Sequence, residues 1–129
     1  MTKIYLFILL IFFTNEETEI KIDLESSSLT SGTGYVVTDE FITFNQPGTY
    51  TLSNYSFRAL RITSSQVTLN LDHIHVSSDS HPALIIDKNC EATLMIMSTN
   101  VLMDTITNEK DGVIYMDEGA KLTITTNKI

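Results

Sequence analysis

The chain has 129 residues, enough for one domain of ordinary size. Hydrophobic residues make up 43% of it and charged residues 19%, which excludes wholesale disorder. The formal net charge of -8 repels phosphate backbones and argues against nucleic acid as a partner. The same acidic surface attracts cations such as Ca²⁺, which binds oxygen ligands.

The first residues predict an export signal. Lys3 is followed by an unbroken apolar run at 4–13 and then by the polar segment 14–17. A charged start, a short apolar stretch and a polar exit are typical of a secretory signal peptide, and a membrane span needs about 20 apolar residues. We therefore expect residues 1–15 to be a signal peptide. The protein is then secreted or held at the cell surface, without a further membrane span.

Strand patterns dominate the rest of the chain. Apolar and polar residues alternate with a period of two from Ile20 onward, for example at 67–71 and 92–96. This period predicts many short strands and almost no helix. We expect an N-terminal cap or irregular strands over residues 16–40, and the main domain over residues 41–129.

The order of the strands predicts a repeat. A small residue with an apolar segment, a polar turn and a Thr-containing alternating strand occur in this order at 59–71, 83–96 and 112–124. Such a repeat predicts a solenoid of about three to four rungs, in which equivalent strands stack in parallel about 4.8 Å apart. Leu69, Leu94 and Leu122 would then form one column. The alternative is an antiparallel β-sandwich or jelly roll.

Five segments resemble a known family in their order along the chain. They are Gly48-Thr-Tyr-Thr-Leu-Ser53, Val67-Thr-Leu-Asn-Leu-Asp72, Pro82-Ala-Leu-Ile-Ile86, Gly112-Val-Ile-Tyr115 and Gly119-Ala-Lys-Leu-Thr-Ile124. Over residues 41–125 the chain resembles the carbohydrate-binding domain-containing right-handed parallel β-helix family, of the clostridial polygalacturonate-binding type.

The resemblance implies an all-β, right-handed parallel β-helix with bound calcium. It also implies affinity for acidic polysaccharide, polyuronates included, without clear lyase activity. Family members continue for several more rungs, so the resemblance implies a domain that is incomplete at its C-terminus. An open last rung would offer an edge for edge-to-edge self-association.

Aromatic and arginine side chains are the candidate carbohydrate ligands. Tyr50, Tyr55, Arg58 and Arg61 lie near one another in the sequence. Flat rings suit sugar recognition, and a guanidinium group can hold the carboxylate of a uronate through two hydrogen bonds. The alternative for the rings is packing in the core.

Acidic residues at the expected turns are the candidate calcium ligands. Asp87 and Asp117 occupy matching places after strands of two successive repeats, so with Glu118 they form one candidate Ca²⁺ site. Asp104 and Asp111, which precede the third repeat, form another. The alternative is a set of solvated turn residues, since turns are rich in Asp.

These observations predict an extracellular protein that binds acidic polysaccharide with the help of calcium. We expect no enzyme, because no nucleophile motif, phosphate-binding loop or zinc pattern is present and Cys90 has no evident His partner. A degenerate polysaccharide lyase or glycosidase-like β-helix stays open as one alternative. A structural adhesin-type repeat is the other.

Overall fold

The computed structural model describes residues 19–105 and 112–126, which fold as an all-β structure. Its strands are β1 (Glu19–Asp23), β2 (Tyr35–Val37), β3 (Phe41–Phe44), β4 (Gly48–Ser56), β5 (Ala59–Ile62), β6 (Val67–Ser78), β7 (Leu84–Ile86), β8 (Glu91–Ile96), β9 (Val101–Asp104), β10 (Ile114–Met116) and β11 (Lys121–Thr126). None of these residues forms a helix able to cross a membrane. The predicted signal peptide lies outside the described residues.

The strands form two sheets. The first has the order β1-β4-β6-β8-β11, with β9 also paired to β6, and the second has the order β10-β7-β5-β3-β2. All pairs are parallel except the β2–β3 pair. From β3 to β8, consecutive strands alternate between the sheets. Parallel pairing contradicts the antiparallel sandwich and jelly-roll alternative, and it confirms the predicted all-β class.

The core is a set of side-chain columns that run across the strands. In the first sheet, strand pairing aligns Tyr50, Leu69, Leu94 and Ile124. The second sheet aligns Ile62 with its equivalents in β3, β7 and β10. Because side chains alternate along a strand, one face of each sheet carries the apolar residues. Most of them form a single buried cluster, whereas Ile124 and Met116, at the ends of the two columns, are exposed.

The predicted column of Leu69, Leu94 and Leu122 is wrong at its third member. Leu122 pairs with Ala92, and Ile124 takes the place opposite Leu94. The turns before β8 and β11 have equal length, since Cys90 N donates to Asp87 O and Ala120 N donates to Asp117 O. Because the turns are equal in length, β11 pairs with β8 in a register that differs by two residues from the one that would place Leu122 opposite Leu94. A shift of two leaves the inward residues inward.

Two long strands bend partway along their length. Asn54 in β4 and His73 in β6 have φ values of 72° and 60°, and the register of this pair shifts between Ser53 and Asn54. Beyond the bend, β6 pairs with β9 rather than β8. The outer face of the first sheet is therefore divided into two surfaces, one on each side of the bend.

Candidate functional site

A column of threonine side chains crosses the outer face of the first sheet. Strand pairing aligns Thr49, Thr68, Thr93 and Thr123, one from each of the strands β4, β6, β8 and β11. Each lies between inward-facing residues, so strand alternation directs its hydroxyl away from the core. The structure records no hydrogen bond from these four hydroxyls to the described part of the protein. They are therefore available to a ligand.

The threonine column forms the floor of an open groove of 730 Å³. The remaining lining comes from residues at or just before the starts of the same strands, together with one residue within β8: Pro47, Gly48, Gln66, Glu91, Lys121 and Ala92. The turns therefore place a polar side chain near three of the threonines, Gln66 before Thr68, Glu91 before Thr93 and Lys121 before Thr123. The groove runs across the strands rather than along one of them.

The groove has little net charge. Its lining contains one acidic and one basic side chain, and Lys121 Nζ lies 3.7 Å from Glu91 Oε1. Both side chains are exposed, so the pair contributes little to stability. The balance of charges suits a neutral ligand with many hydroxyl groups better than a polyanion.

A second polar column lies beside the first and is already hydrogen-bonded. Thr51 Oγ1 donates to Glu19 Oε1 at 2.7 Å, and Asn70 Nδ2 donates to Thr51 Oγ1 at 3.1 Å. These bonds hold the side chains of β1, β4 and β6 in place along one flank of the threonine column. In the threonine column itself, Glu19 occupies the position on β1 next to Thr49.

Tyr50 does not form part of a ligand surface. Its ring is 1% exposed and packs 4.9 Å from the Phe44 ring. The hydroxyl donates to Gln46 O at 2.8 Å and also lies 3.2 Å from Gly34 O. Burial raises the pKa of Tyr50 above its ordinary value. The carbohydrate-binding role predicted for this residue is therefore wrong, because it lies in the inward phase of β4.

Tyr55 and Arg58 lie beyond the bend of β4, on a surface separate from the groove. The exposed Tyr55 ring lies 5.5 Å from the His75 ring of the adjacent strand. Arg58 stacks on the exposed Phe57 ring at 4.5 Å, and its Nε donates to Thr38 O at 2.7 Å. Arg58 therefore has an aromatic partner in Phe57 and Tyr55 has one in His75, and a sugar-binding role for Tyr55 and Arg58 stays a prediction. Arg61 lies on the other sheet.

Arg61 is engaged by a predicted calcium ligand. Its Nε and Nη2 donate to Asp87 Oδ1 and Oδ2 at 3.0 and 3.1 Å. The hydrogen bonds that Arg61 donates to Asp87 raise the pKa of Arg61, and this effect outweighs the opposing effect of burial. Both carboxylate oxygens of Asp87 are therefore occupied by the guanidinium group. The two residues, for which the sequence predicted different ligands, are therefore partners of each other.

The turn acids are stacked as predicted, but they do not gather into a metal site. Asp87 N and Asp117 N donate to equivalent carbonyls of the preceding strands, Ile62 O and Ile86 O. The Asp117 carboxylate accepts a hydrogen bond from Glu118 N at 2.7 Å. Among residues 19–105 and 112–126, no three acidic, imidazole or thiol side chains are placed to hold one metal ion.

The second predicted calcium site is only partly described. Asp104 ends β9 and is half-buried, with an enclosed Oδ2 that has no hydrogen bond within the described residues. Its predicted companion, Asp111, lies outside those residues. Calcium binding here stays a prediction.

Cys90 is buried, and its thiol is not activated. Burial, and then the nearby charge of Asp87, raise the pKa of Cys90 above its ordinary value. A nucleophilic cysteine needs the opposite shift, toward the thiolate. The thiol therefore packs in the core, where its surroundings favour the protonated form.

Sequence reasoning did not identify the threonine column as a site, although its signal is present. Each repeated strand of the first sheet carries Thr as the second residue of the Gly-Thr, Val-Thr, Ala-Thr or Leu-Thr pair. Comparisons of the chain with protein-family models, curated proteins and solved structures found no match. The candidate site therefore rests on the geometry described above.

Proposed function

We propose that this chain is a carbohydrate-binding protein whose ligand lies in the groove over the threonine column. The observation that carries the proposal is the row of four hydroxyls in an open groove of 730 Å³. A threonine hydroxyl both donates and accepts hydrogen bonds, as each hydroxyl of a sugar does. The threonine methyl groups can contact the C–H faces of a sugar ring.

Within this class, the groove favours a neutral glycan over an acidic one. A polyuronate requires cationic partners, yet Arg61 is bound to Asp87 and Lys121 is paired with Glu91. The net charge of -8 adds a general repulsion of polyanions. Binding of acidic polysaccharide through calcium, as the family resemblance implied, is therefore the competing version of the proposal.

The proposal includes a specific architecture, in which the two sheets are walls of a right-handed parallel β-helix. Parallel in-register columns and the alternation of consecutive strands between the sheets support it. Right-handed winding is expected because connections between parallel strands of one sheet are almost always right-handed. In this architecture the groove extends over as many sugar-binding positions as there are stacked strands. A secreted or surface location fits this function.

A glycan array with neutral and acidic glycans, run with Ca²⁺ and again with EDTA, tests the proposal. We expect binding to neutral glycans that survives EDTA and is weakened by Thr93→Val, which removes one hydroxyl at almost constant shape. Thr43→Val is the matched control, because Thr43 is half-buried on the outer face of the other sheet. Binding only to acidic glycans, lost with EDTA, would support the calcium version. If the folded protein bound no glycan on the array, carbohydrate binding would be contradicted altogether.

A structural repeat that pairs with a second copy is the second candidate function. Strands β10 and β11 are the last members of their sheets and each has one paired neighbour in the described part of the chain. Their exposed residues include Tyr115, Met116 and Ile124, and Ile124 is 58% exposed. Unpaired strand edges of this kind can pair with another chain.

Sedimentation velocity over a range of concentrations tests this candidate. Self-association through β11 predicts oligomers that Ile124→Lys converts to monomers, since a charge on an edge strand opposes pairing. Val36→Lys serves as the control, because Val36 is exposed on the edge strand β2. A monomer at all concentrations would argue against a structural repeat of this kind.

A further inference from the structure

We infer that the groove binds an unbranched, extended glycan lengthwise across the strands, with one sugar unit over each threonine. This inference rests on the proposed function and specifies its ligand. It concerns the shape of the glycan and its direction on the sheet, which binding to carbohydrate in general does not determine.

The spacing of the threonine column supports this direction. The four threonines occupy paired positions on neighbouring strands, so their hydroxyls repeat at the strand spacing of about 4.8 Å. Sugar units joined by equatorial linkages form an extended chain that advances by nearly this distance per unit. In α-1,4-linked glucose an axial bond at C1 meets an equatorial oxygen at C4, which coils the chain, so that successive units leave the register of the column.

The surroundings of the column favour an unbranched chain. The strand-start residues Gln66, Glu91 and Lys121 lie along one side, and the hydrogen-bonded Thr51 and Asn70 lie along the other. A single chain lying between these two rows contacts both of them. A branch that lies on the sheet surface would have to cross one of the rows.

Four strands carry the threonine column in the described part of the chain. On β1 the column continues with Glu19, whose carboxylate already accepts a hydrogen bond from Thr51. At the other end, Thr123 lies on β11, the last strand of this sheet among the described residues. The hydroxyl pattern therefore spans four strands, which predicts four sugar positions.

Isothermal titration calorimetry with β-1,4-linked glucose oligomers of two to six units tests the inference. Each added unit up to four should tighten Kd by about 2- to 10-fold, the range expected for one or two net hydrogen bonds. Longer oligomers should bind no tighter. The α-1,4-linked oligomers of equal length should bind at least tenfold more weakly at four units.

Two variants locate the ligand on the column. Thr93→Val, in the middle, should weaken the four-unit oligomer about 3- to 10-fold. Thr123→Val, at the end, should move the plateau from four units to three. Thr43→Val on the other sheet should change neither value. Far-UV circular dichroism of each variant verifies that the strands are retained.

Five results would overturn the inference. Equal affinity for α- and β-linked oligomers, or affinity independent of length, would reject the lengthwise register while carbohydrate binding stands. Binding that is unaffected by Thr93→Val would place the ligand elsewhere, for example on the Tyr55 surface. If no glucose oligomer binds but other glycans do, the linkage class is wrong. If no glycan binds, the proposed function fails as well.

Discussion

The stacked core predicts that substitution by alanine lowers the free energy of unfolding far more in the middle of a side-chain column than at its end. Leu69 is 0% exposed and lies between Tyr50 and Leu94, so Leu69→Ala leaves a cavity that neighbours on both strands cannot fill. The expected loss is about 2–5 kcal/mol in the free energy of unfolding. Ile124 occupies the same column but is 58% exposed, so Ile124→Ala should cost less than about 1.5 kcal/mol.

Urea denaturation followed by far-UV circular dichroism measures both variants under the same conditions. The slope of the free energy against urea concentration should match that of the unchanged protein, so that the difference reports stability alone. Equal losses in the free energy of unfolding at the two positions would refute the reasoning, because the expected difference comes only from their places in the stack. A loss below about 1 kcal/mol for Leu69→Ala would refute it too, because it would mean that this position is not enclosed.

Four further predictions follow from single side chains. Tyr50→Phe should lower the free energy of unfolding by about 1–3 kcal/mol in urea denaturation, because it removes the buried donor that Gln46 O accepts. Stability should fall as pH rises above about 9, because the raised pKa values of Cys90 and Tyr50 keep protons on the folded protein that the unfolded chain releases. Gly119→Ala should cost about 1–3 kcal/mol and lower Tm in calorimetry, since φ is +77° there. Asp87→Asn should cost less than about 1 kcal/mol in urea denaturation, because its pair with Arg61 is partly exposed.

Each of these predictions has a contradicting result. An unchanged urea midpoint for Tyr50→Phe would mean that its hydroxyl is hydrated rather than bonded to the backbone. Stability that is flat or rising between pH 9 and 11 would contradict the direction of both pKa shifts. An unchanged Tm for Gly119→Ala would remove the need for glycine at that turn. A loss above about 2 kcal/mol for Asp87→Asn would show that the ion pair is worth more than a surface pair.

The alternation of residues was sufficient to predict the strands and the parallel repeat. The register in which β11 pairs with β8 depends on the lengths of the turns that precede these strands. Residues 92–96 and 122–124 resemble each other most when Leu94 is matched with Leu122. The equal turns after Asp87 and Asp117 instead place Ile124 opposite Leu94. The strand register set by a turn depends on the backbone hydrogen bonds of that turn, and a pattern of side chains does not specify these bonds directly.

The site residues were predicted with mixed success for identifiable reasons. Tyr50 and Leu52 occupy alternate positions of β4 and both face inward, so the burial of Tyr50 could have been predicted from the alternation. The alternation in β4 is kept from Leu52 to Ser56, so it also places Tyr55 on the exposed face, whereas in β6 the extra residue His73 shifts the buried positions from Leu71 to Ile74. The Arg61–Asp87 pair joins residues 26 positions apart, and it forms because strand stacking brings them together. The sequence alone gave no reason to choose this partner over a metal ion.

The most direct test of the account locates the bound glycan on the protein. Titration of a ¹⁵N-labelled sample with the four-unit β-1,4-linked glucose oligomer, followed by NMR, should shift the amide signals of Thr49, Thr68, Thr93 and Thr123 together. Signals of the other sheet, such as that of Thr43, should stay in place. Shifts confined to the surface around Tyr55 and His75, or no shifts at saturating oligomer, would contradict a glycan site on the threonine column.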